Sequence, residues 1–318
     1  MRWIDETDYA EVMKTEVEPY IASFRTIGYD ERISGEPIRY ALFEQKGAKG
    51  WIVISHGFTE SIDKFSESVY YMLQAGYNVT AVDHRGHGYS YRENHNPYVV
   101  HINDFESYVM DLKHLVETVV RSKADGLPLY LYCHSMGGCI GAWTIETYPD
   151  LFQKAVLSSP MLGLSFGKIP VPVVRAYAQV RKLTGGSEDP SSSAVFEAVP
   201  DFENSCDSCE ERYLYYHEKR LHDQKLQTCT PSINWGLESV KAINRVTSDF
   251  QTARIRIPVL LFQAELDTVV VNEDEDRFIG KVAQGRLQKV PGVKHEIYMS
   301  DHAVLKAYWK EIFQFFSI

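Results

Sequence analysis

From about residue 50 onward the chain alternates short β-rich runs with longer helical patterns, and this alternation restricts the possible folds more than any other feature. The runs "WIVIS" (51–55), "NVTAVDH" (78–84), "PLYLYCH" (128–134), "KAVLSSP" (154–160), "IPVLLFQA" (257–264) and "GRLQKVPG" (285–292) read as strands. Helical spacing fills most of the gaps between them, as in "FESYVMDLKHLVETVVRSK" (105–123), and "HAVLKAYWKEIFQFFS" closes the chain as a helix. Strands alternating with helices imply βαβ units and a mostly parallel sheet. Right-handed crossovers then place helices on both faces. The fold class predicted is α/β, with a helical cap inserted where the alternation breaks. The division expected is a core over 1–160, a cap over 161–250 and the rest of the core over 251–318. An insertion between two strands sits over the sheet's C-terminal edge, where open α/β sheets bind ligands.

The nucleophile question centres on two serines. A literal G-x-S-x-G occurs at Gly163–Gly167 around Ser165, and a looser C-H-S-M-G surrounds Ser135. A nucleophile on an α/β sheet stands on a sharp strand-to-helix turn, with strained φ/ψ and small neighbours two residues away on either side. Ser135 follows the strand "PLYLY", precedes the helix-compatible "CIGAWTIETY", and has Gly137 and Gly138 beside it. Ser165 lies among prolines, with no helix opening after it. Ser135 is therefore the candidate nucleophile, against the plainer reading of a helix-capping serine. Partners are expected in the chain order nucleophile, acid, base. His295, on a loop after a strand, is the candidate base, while His302 opens the last helix. Asp267, three residues past a strand, is the candidate acid that orients the histidine, with Glu265 as backup. The acid-rich "NEDEDRF" reads as a helix start capped by Asn272. Backbone N–H groups of Met136 and Phe58 are the candidate oxyanion donors.

Composition limits the function. A net charge of -10 argues against nucleic acid as a partner, since phosphate neutralisation needs clustered Lys and Arg. Transient contact with a membrane surface stays compatible with that charge. The N-terminal stretch has no apolar block of a signal peptide, and no apolar run approaches the ~18 residues of a transmembrane segment. Five cysteines, an odd number, suit reduced thiols and a cytoplasmic location.

The stretches "SHGFTES", "VDHRGHGYS", "HINDFESYVMDL", "CHSMGG", "LSSPMLGL", "FQAELDTVVVN" and "VKHEI" occur in an order that resembles the α/β-hydrolases. Within that fold the chain resembles the lysophospholipase and monoacylglycerol lipase group, the bacterial lysophospholipases in particular. The resemblance implies Ser135 as nucleophile, Asp267 as acid, His295 as base and "SHGF" as the oxyanion loop. It treats the loop carrying His84 and His87 as structural, with Asp83 and Arg85 fixing it. Cys133 departs from the usual Gly or Ala, and Cys229 stands where a cap element has glycine. Cys206 and Cys209 form a CxxC, with His217 and His222 following, but the spacing does not suit a zinc site. No cofactor or metal is expected. The function implied is hydrolysis of carboxylic esters through an acyl-enzyme, with single-chain lipid esters as substrate. A short-chain carboxylesterase, a serine aminopeptidase and a catalytically silent ligand-binding member are the alternatives. The apolar side chains of "PMLGLSFGKIPVPVVRAYAQVRKL" are expected either to line an acyl channel or to pack the cap onto the core.

Overall fold

Ten strands form in the computed structural model, which describes residues 1–165 and 171–317. In chain order they are β1 (Arg25–Asp30), β2 (Ile38–Phe43), β3 (Trp51–Ser55), β4 (Asn78–Val82) and the two-residue β5 (Val99–Val100). Then come β6 (Leu129–His134), β7 (Lys154–Ser158), the two-residue β8 (Thr230–Pro231), β9 (Val259–Ala264) and β10 (Gly285–Val290). Eight of them make one sheet in the order β1-β2-β4-β3-β6-β7-β9-β10, and β5 pairs with β8 apart from it. From β4 to β10 every pairing is parallel, whereas β1–β2 and β2–β4 are antiparallel.

Burial on both faces explains the apolar runs. Side chains alternate across a strand, so Trp51, Val53, Leu131 and Cys133 join one apolar cluster while Ile52, Ile54, Tyr130 and Tyr132 join the other. Helices cover each cluster. An N-terminal helix α1 (Tyr9–Val12, continuing through Met13–Val17 and Glu18–Ala22) and α2 (Ser66–Gln74) lie on the second. Helices α3 (Glu106–Leu115, running on to Ala124) and α4 (Met136–Thr147) lie on the first. Gly76 ends α2 at φ 86°, with its N–H on Leu73 O at 2.9 Å, as a left-handed C-terminal glycine should.

The α/β class and the six strands β3, β4, β6, β7, β9 and β10 match the sequence reading. Two things did not show in the sequence: α1, and the antiparallel β1–β2 pair. β1 is an edge strand with mostly exposed residues, so it carries no alternation to detect.

Among the described residues, no strand of the main sheet occurs between β7 and β9. Helices α5 (Val171–Leu183), α6 (Glu210–His222) and α7 (Ile233–Val246) occupy this stretch. Arg212 on α6 is fully buried and ties that helix to the core. Its guanidinium bonds both oxygens of Glu67 at 2.9 Å, Glu6 at 2.7 Å and Ile4 O at 2.9 Å. Ser232 caps α7, its Oγ accepting the Trp235 N–H at 3.0 Å. Trp235, Ala242, Ile243 and Val246 then pack into the first core cluster. Of the apolar side chains expected to line a channel or pack the cap, Met161 and Leu162 are in the core, while Val173, Tyr177, Val180 and Leu183 are exposed. Residues 166–170 of that segment lie outside the described residues. After β9 come the helices α8 (Asn272–Ile279) and α9 (His302–Ser317), and among the described residues no helix is long and apolar enough to cross a membrane.

Candidate active site

Ser135 occupies the junction of β6 and α4 at φ 50° and ψ -116°, a backbone conformation that only a tightly fixed turn holds a serine in. The fixing bonds are visible. Its N–H donates to Ser158 O at 3.1 Å, and its carbonyl accepts Gly138 N–H and Met161 N–H at 2.8 Å each. The demand for a small residue two positions on is steric. A Cβ at Gly137 would stand 2.1 Å from Ser55 O and 2.6 Å from His56 O. Two positions back, Cys133 fits because α4 offers a second glycine. A Cβ on Gly141 would meet Cys133 Sγ at 2.4 Å, so the thiol occupies room that Gly141 leaves.

Asp267 follows β9, and its carboxylate is fully buried. Oδ1 accepts the N–H groups of Val269 (2.8 Å) and Val270 (3.0 Å), and Oδ2 lies 2.6 Å from His295 Nδ1. Burial works to raise the Asp267 pKa, but the His295 bond and charge with these two amides hold it below the ordinary value. His295 follows β10, and its ring packs beside that of His134, the residue before Ser135, with centroids 4.9 Å apart. Sequence-distant groups after β6, β9 and β10 thus converge at one edge of the sheet. Among the described residues the Ser135 hydroxyl makes no hydrogen bond, to His295 or to anything else. Asp267 occupies Nδ1, which leaves Nε2 as the nitrogen available for another partner.

The N–H groups of Phe58 and Met136 likewise donate to no acceptor among the described residues. The Phe58 loop is braced. Gly57 N–H donates to Glu60 Oε2 at 2.5 Å, and Thr59 takes a positive φ of 61°. The Phe58 ring packs on Trp235 of α7, with centroids 4.4 Å apart.

Several residues around the site had no separate role in the sequence reading. Glu60, 2% exposed, also accepts the Tyr298 hydroxyl at 2.5 Å and lies 3.1 Å from His134 Nδ1. Lys64 bonds Glu296 and stands 3.6 Å from Glu60. Burial opposes charge on Glu60, yet His134 and Lys64 hold its pKa far below the carboxylate range. These residues bind the loop of the candidate oxyanion donors to the segment of the candidate base. Glu60 and His134 sit inside recognisable motifs, but nothing in sequence spacing pairs them.

The rejected candidates have other positions. Ser165 is exposed, and its N–H pairs with Val269 O at 3.0 Å. His302 is exposed in the first turn of α9, its Nδ1 2.8 Å from Glu6. Glu265 faces solvent and accepts Gly292 N–H at 2.8 Å. His84 Nε2 meets Ser55 Oγ at 2.8 Å, and burial pushes both His84 and His87 well below the ordinary histidine pKa, which keeps them neutral. Asp83 pairs with Arg39 at 3.0 Å, and Arg85 with Asp111 at 2.8 Å, so each fixes the loop to a different element. Cys209 Sγ takes an Arg212 N–H at 3.3 Å, and His217 Nε2 is 3.0 Å from Ala198 O. Asn272 is the first residue of α8 and not its cap. Its amide donates to Ala264 O at 3.0 Å.

Comparison with known proteins follows the same outline. The family described as Serine aminopeptidase, S33 (Hydrolase_4) matches residues 46–302. The chain is 24% identical over 320 residues to the probable lysophospholipase L2 of Haemophilus influenzae, covering 99% of each. It is 31% identical over 263 residues to a monoacylglycerol lipase of Mycolicibacterium smegmatis, covering 79% of this chain and 82% of that one. The fold is similar to a crystal structure of Paleococcus ferrophilus monoacylglycerol lipase, with a TM-score of 0.68 at 23% identity over 87% of this chain and 97% of the other. With an eight-stranded α/β sheet and a match over most of its length, the chain belongs to the Hydrolase_4 (serine aminopeptidase S33) family of α/β-hydrolases.

Proposed function

We propose that the protein is a serine hydrolase that cleaves single-chain lipid esters, such as lysophospholipids or monoacylglycerols, through an acyl-enzyme. The observation that carries this is the Asp267–His295 pair at 2.6 Å beside the strained Ser135 turn. In the reaction the Ser135 hydroxyl turns onto His295 Nε2 and loses its proton there as Oγ bonds to the ester carbonyl carbon. Asp267 steadies the resulting imidazolium. The carbonyl oxygen becomes an oxyanion held by the Phe58 and Met136 N–H groups. Collapse breaks the ester bond, and His295 returns its proton to the leaving alcohol. Water, deprotonated by His295, then attacks the acyl-enzyme and releases the fatty acid. The lysophospholipase and lipase names of the relatives support the lipid ester as substrate.

In this reading residues 161–250 act as a cap over the site, between core parts 1–160 and 251–318. The exposed Val173, Tyr177, Val180 and Leu183 on α5 suit transient contact with a lipid surface. Five free cysteines suit a reducing, cytoplasmic compartment.

The family's aminopeptidase description favours a second reading, in which acids near the site hold a substrate α-ammonium. Its weakness is electrostatic. Glu60 and Glu296, two carboxylates beside the candidate oxyanion loop and the candidate base, are already paired with Lys64. One experiment tests both readings. A fluorophosphonate probe is expected to label the wild type and not Ser135→Ala, and long-chain p-nitrophenyl esters are expected to outrun an amino-acyl amide. Equal absence of label in both proteins would defeat the serine mechanism, and faster amide cleavage would favour the peptidase.

A further inference from the structure

A polar cavity of about 430 Å³ adjoins the candidate site, a size suited to a small ligand. Its lining includes Thr59 and Glu296, each the next residue after a candidate catalytic group, Phe58 and His295. Tyr213, His217, Arg220 and Glu197 of its lining also line a second groove of about 350 Å³ on the cap. The charges along it are unequally compensated. Lys64 is fully engaged by Glu296 and Glu60. Arg220 has no carboxylate partner among the described residues. Its Nε and one NH2 donate to Leu226 O (3.1 Å) and Thr228 O (3.0 Å), and its plane lies over Phe196 at 4.7 Å. The guanidinium is thus held in place with donor capacity to spare, as an anion site requires. Asp207, 5% exposed, lines the same cavity with Oδ1 lacking any partner. Burial and the charge of Glu296, with which it shares a hydrogen bond, push the Asp207 pKa well up, so the acid is held neutral and its Oδ1 can accept a hydroxyl. Glu197 and Asp201 are exposed at the rim.

We propose that this cavity is a headgroup subsite for a zwitterionic phosphodiester, with Arg220 taking the phosphate, Asp207 a glycerol hydroxyl, and Glu197 with Asp201 the ammonium. The proposal rests on the ester hydrolase reading above and names its substrate class as lysophospholipid over monoacylglycerol. Exposure along the lining rises in the order of the molecule's groups, from buried Glu296 and Asp207 through half-buried Arg220 to exposed Glu197 and Asp201, as for ester, glycerol, phosphate and amine. An uncharged monoacylglycerol offers nothing anionic to Arg220 and nothing cationic to the rim acids.

The test compares 1-acyl lysophosphatidylethanolamine, 1-acyl lysophosphatidylglycerol and 1-monoacylglycerol of one chain length, with p-nitrophenyl butyrate as an ester lacking any headgroup. Arg220→Gln is expected to lower kcat/KM about ten- to a hundredfold on both phosphate lipids, the range of a charge-assisted hydrogen bond, and to leave the other two substrates within about twofold. Glu197 is exposed and makes no hydrogen bond among the described residues, so Glu197→Gln does not threaten folding. It is expected to weaken the ethanolamine lipid about threefold and spare the phosphoglycerol one, as a partly screened charge contact does. Equal losses on all four substrates in folded Arg220→Gln would overturn the subsite, as would unchanged headgroup preference in both variants. Should Arg220→Gln fail to fold, wild type that hydrolyses monoacylglycerol as fast as the phosphate lipids overturns it instead. Wild type inert even to p-nitrophenyl butyrate and to fluorophosphonate refutes the ester hydrolase reading itself, which separates the two failures.

Discussion

Cys133 and Gly141 should behave as one unit, and the structure sets the size of their coupling. A Cβ added at Gly141 lies 2.4 Å from Cys133 Sγ and 3.2 Å from Leu131 Cδ2, but 3.5 Å from Cys133 Cβ. Van der Waals contact needs ~3.5–4 Å, so the sulfur or the helix must shift by roughly 1 Å or more. Overpacking of this kind costs about 1–3 kcal/mol. Against it stands the helix preference for Ala over Gly, worth about 1 kcal/mol. Gly141→Ala alone should therefore destabilise by about 0–2 kcal/mol. Cys133→Ala removes the sulfur and leaves an ordinary 3.5 Å contact with Cβ and a tighter 3.2 Å one with the tip of the Leu131 side chain, which a few tenths of an ångström of movement relieves. In that background Gly141→Ala should stabilise by up to about 1 kcal/mol. The coupling expected between the two changes is then about 1–3 kcal/mol, measured by urea unfolding of the four proteins in a double-mutant cycle. Additivity within about 0.5 kcal/mol would refute the claim that the thiol fills the space of the missing Cβ.

Three further outcomes follow from named contacts. Asp267→Asn takes the carboxylate from His295 Nδ1 and should lower kcat about 10⁴-fold on a p-nitrophenyl ester with the melting temperature little changed; a loss under tenfold would count against its role. Arg212→Ala leaves Glu67 buried without its partner and should cost about 3–5 kcal/mol, read by chemical denaturation. Glu275 is fully buried, with neither carboxylate oxygen bonded, and burial with the nearby Asp267, Asp276 and Asp274 charges pushes it up to about 9. A raised carboxyl favours the folded state fully below its unfolded pKa near 4.5, and this advantage fades as pH climbs toward 9, at about 1.4 kcal/mol per unit. Glu275→Gln should flatten that decline, so melting temperatures of the two proteins should diverge from pH 5 to pH 9, and parallel curves would rule the buried acid out.

Some of the protein was legible in the chain itself. Strands β3, β4, β6, β7 and β9 announce themselves because both their faces are buried, which leaves continuous apolar runs; β10 is a mostly exposed edge strand, legible from its place before a Pro-Gly turn. The turn at Ser135 is readable because local sterics dictate it: only small residues fit beside a strand-to-helix bend. Asp267 and His295 could be named because each follows a strand on a loop, and chain order restricts the choice. Other features have no local cause. β1 is exposed and lacks a pattern, and α1 earns its place by packing on α2. The room that lets Cys133 fit this turn comes from Gly141, eight residues away in the chain and against the Cys133 sulfur in space. Glu60, Lys64, His134, Glu296 and Tyr298 become one network only when loops far apart in sequence are folded against each other. Local sterics and periodic burial are properties of short segments and are written in them. Charge compensation in a buried site depends on which segments meet, and only the tertiary structure decides that.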